Sequence, residues 1–165
     1  MNIVMDIIQL EIDNIIFLET KKNIIVDGNF TKIIYSDQNI TFNGIYINLP
    51  IIFNINDKTI IKNNIFFNPI NNIQIIKNIL YIEEQIIEKY KKEFNVQKNN
   101  NLSLYNQLKL GKIKLYKEYN NNNYSNSNIV LKFSGIWETV NEVGIAYKFL
   151  EMHNILYSSE SVSRF

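Results

Sequence analysis

Cysteine is absent from this 165-residue chain. No disulfide framework, thiolate-ligated zinc site or cysteine nucleophile can therefore be built. Histidine occurs once, as His153, which excludes a multi-histidine metal centre within one chain. Alanine, glycine, proline and arginine are scarce. No apolar run approaches the roughly 20 residues that a membrane-crossing helix needs. Asp6 stands early and no basic segment precedes it, so no signal peptide is expected. A phosphate-binding loop and a dinucleotide fingerprint are missing. An excess of one charge is missing too: 17 basic residues face 16 acidic ones, for a net charge of +1. Duplex-DNA binders are commonly far more basic. Any grip on nucleic acid must therefore come from local asymmetry.

What is present is a globular composition, 46% hydrophobic and 20% charged. A chain of this length has room for one hydrophobic core. One domain over 1–154 is expected, followed by a flexible Ser-rich tail over 155–165. Ile and Asn dominate, and Ile, Asn and Lys all have AT-rich codons. That skew points to an AT-rich genome, such as that of a large DNA virus, a protist or a bacterium. The lack of disulfides favours an intracellular compartment.

The pattern alternates strand and turn signals around one helix. Residues 2–18 are apolar and β-branched and read as two strands parted near Asp13-Asn14, with a helix over 3–12 as the competing reading. Segments 23–27 and 30–35 flank Asp27-Gly28-Asn29, a hairpin signal; 41–42 and 45–48 flank a second one, Asn43-Gly44. Residues 59–67 suggest a further strand. From about 72 to 94 a helix is expected, with Ile76, Ile79, Leu80, Ile86, Ile87, Tyr90 and Phe94 as its apolar stripe. Glu83, Glu84, Glu88 and several lysines fill the opposite, solvated face in this reading. A helical turn is expected within 102–110, with Leu104, Tyr105 and Leu108 inward, and 120–128 reads as a mobile hairpin tip. The expected class is α+β, mainly β: an OB-like antiparallel β-barrel with one long helix.

The last third carries the functional signal. Lysines and aromatics are threaded onto what read as three consecutive antiparallel strands, 112–117, 129–134 and 145–150. Alternation puts Lys112, Lys114, Tyr116, Lys132 and Lys148 on one surface. Ile113, Leu115, Leu131, Phe133, Ile145, Tyr147 and Phe149 fall on the other, the expected core. A face of cations and rings suits single-stranded nucleic acid, whose phosphates pair with lysine and whose bases stack. The bland alternative is the wet side of an ordinary antiparallel sheet. Trp137, the only tryptophan, reads either as a buried hairpin staple or as a stacking platform. Tyr105, Tyr119 and Tyr124 sit near polar loops. Catalytic constellations are thin: His153 lies beside Glu151, with no paired nucleophile. No enzyme activity, cofactor or metal is expected.

Gly111-Lys112-Ile113-Lys114, the run Leu131-Lys132-Phe133-Ser134-Gly135-Ile136-Trp137-Glu138-Thr139, and Gly144-Ile145-Ala146-Tyr147-Lys148-Phe149 carry a resemblance. Together they resemble a C-terminal run in small proteins of nucleocytoplasmic large DNA viruses. That run is similar to the closing hairpin of phage-type single-stranded-DNA-binding OB proteins. About a quarter of the chain is covered. The resemblance implies an OB-like barrel that coats single-stranded DNA in viral replication, recombination or repair. It implies Lys112, Lys114, Lys132 and Lys148 as the DNA face, with Tyr116 and Trp137 as stacking residues. Phage proteins of this kind end in an acidic tail with a terminal aromatic. Here Phe165 is present and the acidic run is not, so a tail-docking role does not carry over.

The leading expectation is a sequence-tolerant single-stranded-DNA-binding protein, with RNA as an allowed ligand. The helix or a sheet edge offers a homodimer contact, and replication proteins are candidate partners. No membrane partner is expected. If viral, it would work in the host cytoplasm or virus factory, or be packaged. The alternative is a non-enzymatic viral structural or assembly protein, a minor capsid or scaffold component that binds other proteins.

Overall fold

A computed structural model describes residues 4–25, 27–53, 60–61, 64–115 and 128–152. The described chain is α+β and mainly strand, with one long helix. Its centre is a hairpin of two 11-residue strands, β10 (Asn128–Glu138) and β11 (Glu142–Met152). Val, Ile, Phe, Tyr and Trp supply their β propensity. The turn between them is closed by Thr139, whose N–H donates to the Glu142 carbonyl at 2.9 Å. Thr139 Oγ1 in turn accepts the Glu142 N–H at 3.2 Å.

Two partners share the other edge of β10. β5 (Ile45–Leu49) pairs with 129–133, and β3 (Asn29–Ser36) pairs with 135–138. The change of partner coincides with a register shift between Phe133 and Gly135, a bulge that bends the strand. Gly135 is required there: a Cβ would come within 2.5 Å of the Phe30 ring and the Thr31 carbonyl. β2 (Ile15–Lys22) and β4 (Thr41–Phe42) add to β3, the two-residue β1 (Met5–Asp6) adds in parallel to β5, and β8 (Asn99–Asn101) adds in parallel to β11. Among the described residues, these eight strands form one sheet that does not close into a barrel.

Against one face of that sheet packs α1 (Ile73–Phe94). It follows Pro69 and a 3₁₀ turn, Ile70–Asn72. Buried Asn72 ties this start to the preceding loop: Oδ1 accepts the Ile52 N–H at 2.7 Å, and Nδ2 donates to the Ile52 and Asn68 carbonyls at 3.0 Å. The helix ends at Asn95 in the left-handed conformation, φ 53°, with Lys91 and Lys92 in the last turn. Ile76, Ile79, Ile82, Ile86, Ile87 and Tyr90 are buried; each such side chain contributes about 1.5–3 kcal/mol. Leu80 of the expected stripe is only half-buried, and Phe94 is exposed. Tyr90 meets Phe17 edge-on at 5.3 Å and stacks on Phe94 at 4.7 Å. Among the described residues no helix is long and apolar enough to cross a membrane.

A smaller sheet holds β6 (Ile60–Ile61), β7 (Asn64–Phe66) and β9 (Lys112–Lys114). It corrects the expected three-strand meander. Among the described residues, β9 pairs antiparallel with β7 and meets β11 only through a parallel bridge, Leu115 to Phe149. Gly111 decides this. It turns left-handed at φ +66°, and its carbonyl accepts the Phe67 N–H at 2.9 Å, which draws the next strand to β7.

Other expectations shift locally. Residues 2–18 form β1, two 3₁₀ turns (Ile7–Gln9 and Ile12–Asn14) and the start of β2, within the described part. The Asp27-Gly28-Asn29 hairpin joins β2 to β3, but its first strand ends at Lys22. Asn43-Gly44 joins β4 to β5 without pairing them, because β4 pairs with β3. The expected helical turn is α2 (Ser103–Lys109), with Leu104 and Leu108 buried and Tyr105 partly so. Glu83 is not on a solvated face: it is fully buried. The expected loop tip at 120–128 and tail at 155–165 lie outside the described residues, save Asn128 at the start of β10.

Candidate nucleic-acid interface

Strand alternation assigns two faces to the large sheet. Ile33, Ile45, Ile47, Leu131, Phe133, Ile136, Ile145 and Phe149 point to α1 and are buried. Their neighbours form the outer face. Register places those neighbours in rows across the strands. Tyr46 on β5, Lys132 on β10 and Lys148 on β11 form one row. Lys32 on β3, Gly135 and Ala146 form the next. Lys21 on β2, Phe30 on β3, Trp137 on β10 and Gly144 on β11 form the third. Neighbouring strands lie about 4.8 Å apart, so each row spans roughly 10–15 Å.

The face is open to solvent along these rows. Lys21, Lys32 and Lys148 are exposed, and Phe30, Tyr46, Lys132, Trp137 and Ala146 are partly exposed. The open part ends at Val130, which is 2% exposed. Lys132 Nζ stands 4.9 Å from the centre of the Tyr46 ring, a cation–π contact that holds the cation over the sheet. Trp137 lies over Gly144, where a Cβ would come within 2.5 Å of the indole. Its Nε1–H donates to the Ile145 carbonyl at 3.3 Å, leaving part of the ring exposed. The indole is thus both a packed side chain and an accessible platform.

Acidic groups stand mainly at the margins, apart from exposed Glu19, which lies in the β2 irregularity opposite Lys32. Asp6 pairs in register with Asn48 beyond Tyr46, and Glu142 opens β11, its carboxylate accepting from Asn101 Nδ2 at 3.2 Å. Glu138 points the other way and is nearly buried. Lys98 meets its carboxylate at 3.3 Å, so it adds no free negative charge to the face. Behind the sheet, burial pushes Glu83 up from the ordinary 4.5 to about 7, against the opposing pull of the Tyr105 and Leu104 N–H groups. Those donors reach its two oxygens at 2.9 and 3.1 Å. The Tyr147 hydroxyl donates to Gln107 Oε1 at 2.7 Å, and burial raises its pKa.

Of the six residues the sequence nominates, Lys132, Trp137 and Lys148 share this face. Lys112 and Lys114 do not; they sit on β9 in the smaller sheet. Lys114 does approach the edge, where with Lys148, Gln107 and Tyr147 it lines a depression of about 490 Å³. Tyr116 lies outside the described residues, as do Tyr119, Tyr124 and His153. Sequence reasoning missed Lys21, Phe30, Lys32 and Tyr46. Phe30-Thr31-Lys32-Ile33 shows the alternation, but nothing local says that β3 and β5 lie beside β10. Among the described residues no group of three or more His, Asp or Glu converges as a metal site would require. No known protein family, curated protein or solved structure matches the chain.

Proposed function

We propose that this chain binds single-stranded nucleic acid, DNA foremost, along the outer face of its large sheet. The observation that carries the reading is the interleaving of Lys21, Lys32, Lys132 and Lys148 with Phe30, Tyr46 and Trp137 on one open surface, with Asp6 and Glu142 at its margins and Glu19 opposite Lys32. Lysines neutralise phosphates while rings take bases, a combination tolerant of sequence. No chemistry on the strand is part of the proposal. The viral setting, in replication, recombination or repair, rests on the resemblance of the β10–β11 sequence and on the AT-rich composition. An OB-like barrel is the finer form of the same proposal; the open sheet requires only the platform.

The test is fluorescence anisotropy with a labelled single strand of about 30 nucleotides beside a matched duplex, across a salt series. Four phosphate contacts give a log–log salt slope of about −3 for a single strand. The Lys132→Glu/Lys148→Glu pair is expected to abolish binding while circular dichroism stays unchanged. Wild-type affinity in that variant would sink the assignment.

A second reading, a structural or assembly protein, has one observation in its favour. β2 pairs only with β3 among the described strands, and it exposes Ile16 (43%) and Leu18 (38%). An open, partly apolar edge strand is a template for another chain. No binding of the single strand at low salt, with self-association in sedimentation, would favour this reading.

A further inference from the structure

A groove of about 730 Å³ lies at the end of the outer face. Its walls come from two places. Phe30, Trp137 and Ala146 are contributed by the sheet, and Ile24 and Ile25 by the connection from β2 to β3. Ile24 is 98% exposed and Ile25 is 88% exposed. Two isoleucines left in water beside a half-exposed indole are costly to the isolated chain. The connection that carries them is held in place. The Asn23 N–H donates to the Gly28 carbonyl at 2.9 Å, and the Ile25 N–H to Asn23 Oδ1 at 3.0 Å. Gly28 packs directly on the Glu138 carbonyl, leaving no room for a Cβ.

We infer that this groove receives one unpaired nucleobase from the bound strand, and that it makes the site select single strands over duplex. The inference rests on the strand-binding reading above. Charge complementarity names the occupant. Lys21 and Lys22 line the groove, at the end of a face that continues through Lys32 to Lys132 and Lys148. A strand held by those lysines brings its bases to the groove. Glu142 also lines it. Its charge disfavours a phosphate inside, so the neutral base enters and the backbone stays with the lysines. Trp137 and Phe30 offer ring surface to the base, and Ile24 and Ile25 the opposing apolar wall. A base within a duplex has both faces covered by its neighbours and must leave the stack to enter.

Trp137 is the only tryptophan, so its emission reports on the groove directly. The experiment titrates the full chain with 30-nucleotide oligo(dT), an abasic strand of equal length and charge, and a matched duplex. The same titrations are run on an Ile24→Ser/Ile25→Ser variant, whose substituted side chains lie in solvent. Oligo(dT) is expected to quench Trp137 and bind about tenfold tighter than the abasic strand. The variant is expected to lose most of that advantage and keep its abasic affinity. Equal affinity for both single strands with unmoved emission overturns the groove assignment while the lysine face stands. An equal loss for both strands in the variant also overturns it. Binding of neither strand overturns the strand-binding reading itself, and the groove assignment with it.

Discussion

Glu83 makes the fold sensitive to pH in an unusual direction. Its carboxylate is fully buried between α1 and α2 and accepts the first N–H groups of α2, from Leu104 and Tyr105. Burial disfavours the charge more than those donors favour it, so the group titrates near 7 instead of 4.5. The unfolded chain loses this proton near 4.5 and the folded chain keeps it to about 7. The folded state therefore holds the extra proton between those values, and stability falls as pH rises through that window. At about 1.4 kcal/mol per pH unit, the loss is about 3 kcal/mol. For a chain of this size that is roughly 6–12 °C in Tm. Glu83→Gln removes the titration, and also replaces one acceptor oxygen by an amide NH₂ facing a backbone N–H. The variant is expected to be less stable than wild type at pH 5, by about 1–3 kcal/mol, and to draw level near pH 8. Thermal unfolding of both proteins from pH 5 to 8 checks this. The other titrating groups are common to both proteins, so the difference isolates Glu83. An unchanged slope in Glu83→Gln would refute the argument and mean that the N–H donors hold the carboxylate ionised throughout.

Lys89 is the staple of the N-terminal segment: its ammonium donates to the carbonyls of Ile12, Asp13 and Ile15 at 2.9, 3.0 and 2.7 Å. Lys89→Met is expected to cost about 2 kcal/mol, read as a lower urea midpoint; an unchanged midpoint would show that the segment docks without it. Gly144→Ala forces a methyl into the Trp137 ring and is expected to destabilise by about 1–3 kcal/mol, with Trp137 emission shifted to the red. A wild-type spectrum would mean that the indole does not lie over the strand. Lys112→Glu, on the smaller sheet, is expected to change single-strand affinity by less than about twofold in anisotropy at ~0.15 M salt, where charges beyond about 8 Å are screened. A loss comparable to that of the Lys132→Glu/Lys148→Glu pair would return β9 to the interface.

The elements fixed by local chemistry were legible in the sequence. The long helix, with its start near Pro69, and the alternation of β10 and β11 needed no partner to be read. Pairing decided by distant contacts was not. Lys112-Ile113-Lys114 alternates like any strand, and only Gly111 against the Phe67 backbone assigns it to β7. Asn43-Gly44 is a strong local hairpin signal, yet β4 returns to β3. There Asp37 Oδ1 accepts the Asn39 and Ile40 N–H groups at 2.8 and 2.9 Å and closes the competing turn. Glu83 looked solvated because its neighbours on α1 are polar. Its role comes from Leu102, which stands at the N-cap of α2 and offers no acceptor, so a carboxylate from another helix fills the vacancy.

The same distinction explains why the site was half legible. Lys132 and Lys148 belong to one hairpin, so alternation aligns them, and Trp137 joins them because the bulge after Phe133 shifts the phase of β10. Lys21, Phe30, Lys32 and Tyr46 reach the same face only because a bulge after Phe133 lets β5 and β3 share one edge of β10. The near-zero net charge misleads for a related reason. The fold largely separates acids from bases: Glu83 and Glu138 lie on the inner side, Asp6 and Glu142 at the margins, and the lysines stand among the outer rings, with Glu19 opposite Lys32 as an exception. A strand passing within a Debye length, about 8 Å at physiological salt, responds to that local arrangement more than to the sum over the whole chain. The count of charges in the sequence therefore sets solubility, while the register of β3, β5, β10 and β11 sets what the face can hold.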